Sequence, residues 1–301
     1  MSQGIIYGLH GAGRNRWGNL VSRGQVQNYH DKPSAVDISK GAQGVDVAGL
    51  KKRGQRETIV FDGQEYASRF TIGFEIEKNA LHRSAVKEYP LLCGFERDGS
   101  CGYEAVSHIL PLLPAGQWRN KVFDMFVQAE KIIDDRYSPS DKRCGGHITL
   151  SVQGMTGDEL REAVRKNAGI IYALFRKRLS NHFCSHNNRM HGAGESFSGG
   201  WHHKYQVALV KEDKLLEFRL PSKVESVKQL MRRYELFFEV VNFSVNSPSA
   251  SHEVLLKRVA PIILSMYNGD SAKAGKVLEL ARHFRKFILW GERHESIVPF
   301  I

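Results

Sequence analysis

Several acidic side chains stand at alternate positions between apolar residues, a spacing that can gather carboxylates on one face of a sheet. In the segment 71–77, Glu75 and Glu77 fall on one face of a predicted strand and three apolar residues fall on the other. The segment 216–220 alternates in the same way and places Glu217 on one face with Arg219. Carboxylates held on one surface repel each other unless a cation joins them, so this pattern indicates a metal site.

Two more polar residues belong to predicted strands of the same kind. His147 begins the alternating segment 147–152, and Glu104 lies in a strand that follows the turn signal Asp98-Gly99. Carboxylate oxygens suit Mg²⁺, which completes its shell with water and substrate phosphate. An arginine among them suits a phosphoryl group, because its planar fork binds two oxygens at once. Together these side chains indicate nucleotide chemistry, while a solvated sheet face is the alternative for any one strand alone.

The sequence lacks the two most common nucleotide-binding motifs. There is no Gly-x-x-x-x-Gly-Lys-Ser/Thr loop and no Gly-x-Gly-x-x-Gly after a predicted strand. The glycines of the segment 8–13 fit neither frame. A P-loop or Rossmann enzyme is therefore disfavoured.

The remaining segments predict the elements that must carry these residues. Two hairpins are predicted from alternating polarity, and helices are predicted from apolar residues at helical spacing and from a capping box at 156–159. The further strands cover 91–97, 102–107, 204–209 and 214–220, and the helices cover 116–135, 156–179, 225–243, 252–267 and 272–290. Strands that alternate with inserted helices indicate an α+β fold with an antiparallel sheet.

Basic charge is concentrated near the start of the chain. The 301 residues hold 43 Lys and Arg against 32 Asp and Glu, a net charge of +11 that favours anionic partners. Residues 1–56 hold nine Lys/Arg, three Asp/Glu and 10 of the 28 glycines. We predict a basic, glycine-rich N-terminal arm over 1–56 that docks on a nucleic acid or a partner chain; an extension without a role is the alternative.

Other bulk features predict a cytoplasmic protein with no membrane contact. No apolar run is long enough to cross a bilayer, and residues 1–4 do not lead into the apolar core of a signal peptide. The four cysteines lack the regular spacing of a disulfide framework, so we expect reduced thiols.

A histidine-rich polar stretch follows the second predicted helix. No paired zinc motif occurs in it, so we favour a mobile lid over a zinc site for the segment 180–203. The His and Cys residues considered in this segment are His182, Cys184, His186, His191, His202 and His203. Lys204, at the start of the next predicted strand, is a candidate for contact with a nucleotide.

Four motifs in a fixed order resemble one enzyme family. The motifs are Gly73-Phe74-Glu75-Ile76-Glu77, then Asp98-Gly99-Ser100 with Glu104 and Ser107, then Cys144-Gly145-Gly146-His147, then Leu216-Glu217-Phe218-Arg219-Leu220. Their order and spacing resemble the amidoligases of the glutamate–cysteine ligase and glutamine synthetase superfamily. The resemblance covers about residues 58 to 245, within an amidoligase-like α+β domain predicted over 57–301 with helices at its C-terminal end.

This resemblance implies a glutamine synthetase-like catalytic fold, in which helices back an antiparallel sheet with a carboxylate-lined concave face. ATP and Mg²⁺ would lie over that face, and a carboxylate would be phosphorylated and then converted to an amide by an amine. The resemblance assigns metal binding to Glu75, Glu77, Glu104 and Glu217. It also assigns His147 and Arg219 to catalysis, Arg219 to the nucleotide as well, and Asp98 to the hairpin or to contact with a ligand residue.

One position departs from the family pattern. The family usually has a second histidine two residues after the first, and Thr149 stands there. Two functions are therefore kept open. The first is an ATP- and Mg²⁺-dependent carboxylate–amine ligase acting on a peptide or amino-acid-like substrate. The second is a non-catalytic binding or assembly protein on the same fold that uses its basic arm.

Overall fold

A computed structural model describes most of the chain after residue 56 and two short pieces before it. The described residues are 3–5, 20–22, 57–61, 64–79, 89, 91–96, 101, 103–107, 110–134, 143–181, 183, 184, 205–211 and 215–290. The chain divides into two units, Met1–Gly154 with Lys223–Met231 and Met155–Ser222 with Arg232–Ile301. The domain boundary predicted at residue 56 stays a prediction.

The first unit contains an antiparallel sheet. The strands of this unit are β1 (Gln3–Ile5), β2 (Leu20–Ser22), β3 (Glu57–Phe61), β4 (Gln64–Ser68), β5 (Phe70–Lys78), β6 (Leu92–Glu96), β7 (Tyr103–Ser107), β8 (Leu110–Pro111) and β9 (Ile148–Val152). Within this unit the sheet has the order β9-β5-β7-β6-β1-β2, β8 also pairs with β5, and β3 and β4 form a separate hairpin. The predicted strands at 71–77, 91–97, 102–107 and 147–152 are confirmed to within a residue. Strands β1 and β2 were not predicted, and β1 extends the sheet by pairing with β6.

Strand β5 is buried on both faces along its whole length, so the polar side chains that it carries lie away from solvent. Its apolar face packs on helix α1 (Gln117–Gln128), where the rings of Phe74 and Phe126 meet edge to face with centroids 5.9 Å apart. The predicted helix over 116–135 is divided at Ala129, and α2 (Glu130–Ile133) follows it. The backbone N–H of Ala129 still bonds to the carbonyls of α1, so the chain passes from α1 into α2 with only this residue between them.

Lys78 lies on the apolar face of β5 and is buried there. Its side chain is 1% exposed, and its ammonium group donates to the carbonyl oxygens of Ile133 at 2.6 Å and Val224 at 3.1 Å. A buried ammonium group is stable only when it is paired, and the carbonyl end of α2 offers it negative potential. Lys78 therefore ties β5 to α2 and to the segment 223–231 of the same unit.

The second unit joins a hairpin to helices. Its elements are α3 (Gly157–Arg165), α4 (Gly169–Phe175), a 3-10 turn (Arg176–Arg178), β10 (Ala208–Lys211), β11 (Leu215–Phe218), most of α5 (Val227–Asn246), α6 (His252–Met266) and α7 (Ser271–Trp290). The predicted capping box is confirmed, because Thr156 Oγ1 accepts from the N–H of Glu159 at 3.2 Å while the Glu159 carboxylate accepts from the N–H of Thr156 at 2.6 Å. The predicted hairpin is confirmed, but its strands lie at 208–211 and 215–218 and not at 204–209 and 214–220, so the first strand begins four residues later than predicted. The three last helices are also confirmed.

The helix predicted over 156–179 is interrupted between α3 and α4. Asn167 lies in the interruption, and its amide donates to Ser244 Oγ at 3.0 Å while its carbonyl lies 3.2 Å from His252 Nδ1. Gly169 then begins α4, and a Cβ at this position would overlap the carbonyl oxygen of Ala281 and lie 2.8 Å from the N–H nitrogen of Arg285. The helix breaks where its backbone approaches α7, a tertiary contact that local helical periodicity does not encode.

Among the described residues, the structure contains no helix that is both long enough and apolar enough to cross a bilayer.

The close contact of α4 and α7 gives a stability test with a matched control. We expect Gly169→Ala to destabilise the fold by about 2–4 kcal/mol, because the added methyl group forces two backbones apart. Gly275→Ala in α7 meets nothing within 4 Å, so it should be neutral or stabilising by up to about 1 kcal/mol. Urea unfolding of both variants measures the difference; equal stabilities would contradict the described packing.

The buried His252 predicts a loss of stability at mildly acidic pH. Burial, followed by the charge of Arg285, lowers the pKa of His252 to about 4 from its ordinary 6.5. As pH falls below 6.5, the unfolded chain takes up a proton that the folded chain refuses, so stability falls between pH 6.5 and about pH 4. The contribution between pH 7 and pH 5 is on the order of 1–2 kcal/mol.

His252→Asn keeps a group that can hydrogen-bond to Asn167 and does not titrate. We therefore expect this variant to be less stable than the wild type at pH 7 and to lose less stability between pH 7 and pH 5. Urea unfolding at both pH values measures this, and an unchanged pH slope would contradict the assignment to His252.

Candidate functional site

Two neighbouring strands supply the carboxylates of the site. Glu75 and Glu77 lie on the same face of β5, opposite the face that packs on α1. In the antiparallel pairing of β5 with β7, Glu77 stands directly across from Glu104, so these two side chains share a face. The exposed fractions are 7% for Glu75, 3% for Glu77 and 7% for Glu104. The face predicted to carry acids is therefore buried and not solvated.

His147 joins this face just before β9 begins. The backbone N–H of Glu75 donates to the carbonyl oxygen of His147 at 3.0 Å, which places the two residues side by side across β5 and β9. The His147 ring then contacts both acids of β5, with Nδ1 2.8 Å from Glu75 and Nε2 3.1 Å from Glu77. Both contacts are hydrogen bonds from the ring only when each nitrogen carries a proton.

The Gly-Gly pair before His147 also contributes through its backbone. The N–H of Gly145 donates to Glu77 Oε2, so Glu77 accepts one bond from this loop and faces the His147 ring with its other oxygen. Cys144, the residue before Gly145, is a buried free thiol that donates to Asn79 Oδ1 at 3.2 Å. The segment 144–147 is thus held against β5 at both of its ends.

Glu75, Glu77, Glu104 and His147 form what we call the acid cluster. Each of the four offers a ligand atom, these atoms all lie within 4.8 Å of one another, and all four residues are buried. Three carboxylates in this space are unfavourable without positive charge. Their oxygens fit Mg²⁺, and the imidazole nitrogen also allows Mn²⁺, so the donor set suits a hard divalent cation.

Two predicted residues belong to the second unit and form a pair there. Glu217 in β11 is fully buried, and Arg219 Nη1 lies 2.7 Å from its Oε1. Arg219 is 12% exposed, its backbone N–H donates to Val207 at 2.9 Å, and its Nε reaches the carbonyl oxygen of Phe183 at 3.5 Å. The alternation predicted for 216–220 thus places an ion pair on one side of β11 and Phe218 on the other, where it packs on Phe237.

Other residues of the predicted motifs have different positions. The hydroxyl of Ser107 accepts from the N–H of Phe74 at 2.8 Å and so supports the sheet. Lys204, Asp98 and most of the histidine-rich stretch lie outside the described residues. Cys184 is described, and it is buried and donates to the carbonyl oxygen of Arg178 at 3.3 Å.

Sequence reasoning missed one feature of the site and left the environment of another unknown. The first is the donation from Gly145 to Glu77, for which the Gly-Gly pair before His147 was the available signal. The second is Thr149, which the sequence marked only as a departure from the family pattern. The residue is 3% exposed, and its hydroxyl makes no hydrogen bond within the described part of the chain. Only the register of β5 with β9, which sets Thr149 opposite Gly73, shows why.

Comparisons with known proteins give a weak structural likeness. No family model and no curated protein matches the chain. The chain is similar to a complex of GmaS with ADP, at 11% identity and a TM-score of 0.37 over 76% of this chain and 72% of that chain. It is also similar to GmaS without ligand, at 11% identity and a TM-score of 0.37 over 74% and 68%. GmaS is a gamma-glutamylmethylamide synthetase, a glutamine synthetase-like ligase. At this TM-score the likeness carries no argument for the activity of this chain.

The acid cluster leads to a direct test of metal binding. We expect Mn²⁺ or Mg²⁺ to raise the melting temperature, since a ligand at about 100 times its Kd stabilises the folded state by about 2.7 kcal/mol. Glu75→Gln should abolish most of this rise and leave the metal-free protein equally or more stable, because one of three buried acids loses its charge.

Glu162→Gln, the same change on the exposed side of α3, is the matched control and should respond to the metal as the wild type does. Thermal melting with and without the metal measures all three proteins. A full response in Glu75→Gln would remove Glu75 from the site.

Proposed function

We propose that this chain is an ATP- and Mg²⁺-dependent carboxylate–amine ligase that acts on a peptide or amino-acid-like substrate. The observation that carries this proposal is the buried acid cluster, in which Glu75, Glu77, Glu104 and His147 meet on one face of an antiparallel sheet. Its residues come from the motifs whose order resembles the amidoligases. We take this face to be the concave floor over which ATP lies, in a protein that works where ATP is abundant, the cytoplasm.

The donor chemistry of the cluster supports the choice of a phosphate-bound cation. Mg²⁺ is bound by carboxylate oxygens of a protein and completes its shell with oxygens of water and phosphate. The bound ion would neutralise charge on the phosphates and polarise the phosphoryl group. Glu75, Glu77 and Glu104 would hold it, and His147 would orient the acids of β5 through its two ring nitrogens.

The proposed reaction has two steps, phosphorylation of a carboxylate and attack by an amine. A substrate carboxylate oxygen forms a bond to the γ-phosphorus of ATP while the bond from that phosphorus to ADP breaks, which gives an acyl phosphate. The nitrogen of an amine then bonds to the acyl carbon, phosphate leaves with the electrons of the carbon–oxygen bond, and the nitrogen releases a proton. Burial of the acids supports this chemistry, because excluding water prevents hydrolysis of the acyl phosphate.

Glu217 and Arg219 enter the proposal through the resemblance and through their own pairing. A buried carboxylate that holds a guanidinium group at 2.7 Å fixes the direction of that group. A fixed guanidinium can bind two oxygens of a phosphoryl group, and it stabilises the charge that develops there. We therefore propose that Arg219 assists phosphoryl transfer and contacts the nucleotide, that Glu217 is a further metal ligand, and that Lys204 contacts the nucleotide.

Arg219→Lys tests this role through the chemistry and not through binding alone. The change keeps the positive charge and removes the planar fork, so turnover should fall by roughly a hundredfold while nucleotide affinity changes less. ADP release measured over a panel of carboxylate and amine substrates gives turnover, and calorimetry gives nucleotide affinity.

Arg161→Lys is the matched control, since Arg161 also forms ion pairs, with Asp158 at 3.0 Å and Glu162 at 3.3 Å, on the exposed side of α3. This control should keep full turnover. If both variants lose only about 1 kcal/mol of stability and no activity, Arg219 is a structural ion-pair partner. A wild type that binds no nucleotide would falsify the ligase proposal.

A further inference from the structure

The described structure does not explain why the Thr149 hydroxyl is buried. The residue is 3% exposed, and its Oγ1 is one of the buried polar atoms in the described part of the chain that make no hydrogen bond. A buried hydroxyl without a partner costs free energy, so such a group calls for an explanation by a ligand, water or ion.

Two observed contacts show which way the Thr149 side chain points. On one side of it along β9, the Ser151 hydroxyl contacts the Thr71 hydroxyl of β5. On the other side, His147 contacts Glu75 of β5. Residues two apart on a strand share a face, so Thr149 lies on the face of the acid cluster, between these two contacts.

The position opposite Thr149 is occupied by Gly73. Cross-strand neighbours usually pair their side chains, but a glycine offers none, so the hydroxyl has no partner on β5. This combination leaves the Thr149 hydroxyl without a cross-strand side chain, on the same face as Glu75 and His147. It is a polar group beside the acid cluster that the described part of the fold does not use.

The distance from the cluster decides what Thr149 can contact. Two residues along a strand span about 6.7 Å. Glu75 and Glu77 bridge this spacing on β5 with long side chains, whereas the Thr149 hydroxyl is attached directly to Cβ, so we place it outside the inner coordination shell. An oxygen bound to Mg²⁺ lies about 2.1 Å from the ion and can accept a hydrogen bond over about 2.8 Å more. A hydroxyl outside the inner shell can therefore contact the cation only through one intervening oxygen atom.

We propose that Thr149 is a specificity-determining residue of the cation site, and that its hydroxyl binds an oxygen atom carried by the metal. That oxygen belongs to a water molecule or to a phosphoryl or carboxylate group of the ligand; the two have the same acceptor chemistry. The inference rests on the proposed cation site and does not require the ligase reaction.

Thr149→Val removes the hydroxyl and keeps the shape, and Thr149→Ser keeps the hydroxyl. Because the hydroxyl has no partner without the ligand, the metal-free Thr149→Val protein should melt at the wild-type temperature or above it. Its affinity for Mn²⁺ alone, or for Mn²⁺ with ADP, should be about threefold to tenfold weaker. Thr149→Ser should retain most of the affinity. Ser151→Ala, which removes the next hydroxyl on the same face, is the matched control and should bind as the wild type does.

Mn²⁺ binding is followed by electron paramagnetic resonance of the free ion, first with the metal alone and then with ADP. A loss already seen with the metal alone identifies a metal-bound water as the partner, and a loss seen only with ADP identifies a ligand oxygen. Unchanged affinity on both arms overturns the proposal, and so does a metal-free Thr149→Val protein that is clearly destabilised. If the wild type binds Mn²⁺ but no nucleotide, the ligase proposal is contradicted. The measurement with Mn²⁺ alone then decides whether Thr149 acts at the cation site. A wild type that binds no Mn²⁺ overturns the cation site together with the role of Thr149.

Discussion

The burial of three carboxylates in one small space is the constraint on which the rest of the site depends. Glu75, Glu77 and Glu104 cannot all be charged and buried unless positive charge or hydrogen-bond donors surround them. Donors come from the segment that leads into β9, which provides the ring of His147 and the N–H of Gly145. The pairing of β5 with β9 is therefore an electrostatic requirement of the cluster as well as a set of ladder hydrogen bonds.

Strand β5 carries ionisable side chains on both of its faces, and the two faces differ in the groups that surround those side chains. Glu77 and Lys78 are neighbours in sequence, point in opposite directions and are both nearly fully buried. On the apolar side, Lys78 is satisfied by two carbonyl oxygens of its own unit, so that side is complete as folded. On the acid side, ligand atoms of three buried carboxylates and of His147 lie within 4.8 Å of one another, which favours an additional cation. The strand thus separates a finished structural contact from the cluster that we propose binds a cation.

The alternation in 71–77 was sufficient to predict β5, to separate its faces and to bring Glu75 and Glu77 together. The same argument predicted β9 and the hairpin of β6 and β7, and with them His147 and Glu104. The predictions that were wrong concern tertiary contacts, because the helix predicted over 156–179 breaks where Asn167 binds Ser244 and Gly169 approaches α7. The orphan hydroxyl of Thr149 also needs the cross-strand register, since it is the glycine opposite that leaves it without a partner.

The position of His147 links metal binding to the arrangement of the acids. Its two ring nitrogens face one oxygen of Glu75 and one oxygen of Glu77, two residues of the proposed cation site. A cation bound through either of these oxygens would compete with the ring for it, and the ring would then turn. Gly145 remains bonded to Glu77 through the other carboxylate oxygen, so that side chain stays aimed at the site while the ring moves. Because Thr149 lies two residues beyond His147 on the same face, a change at the ring leaves its hydroxyl in place to bind an oxygen of the incoming shell.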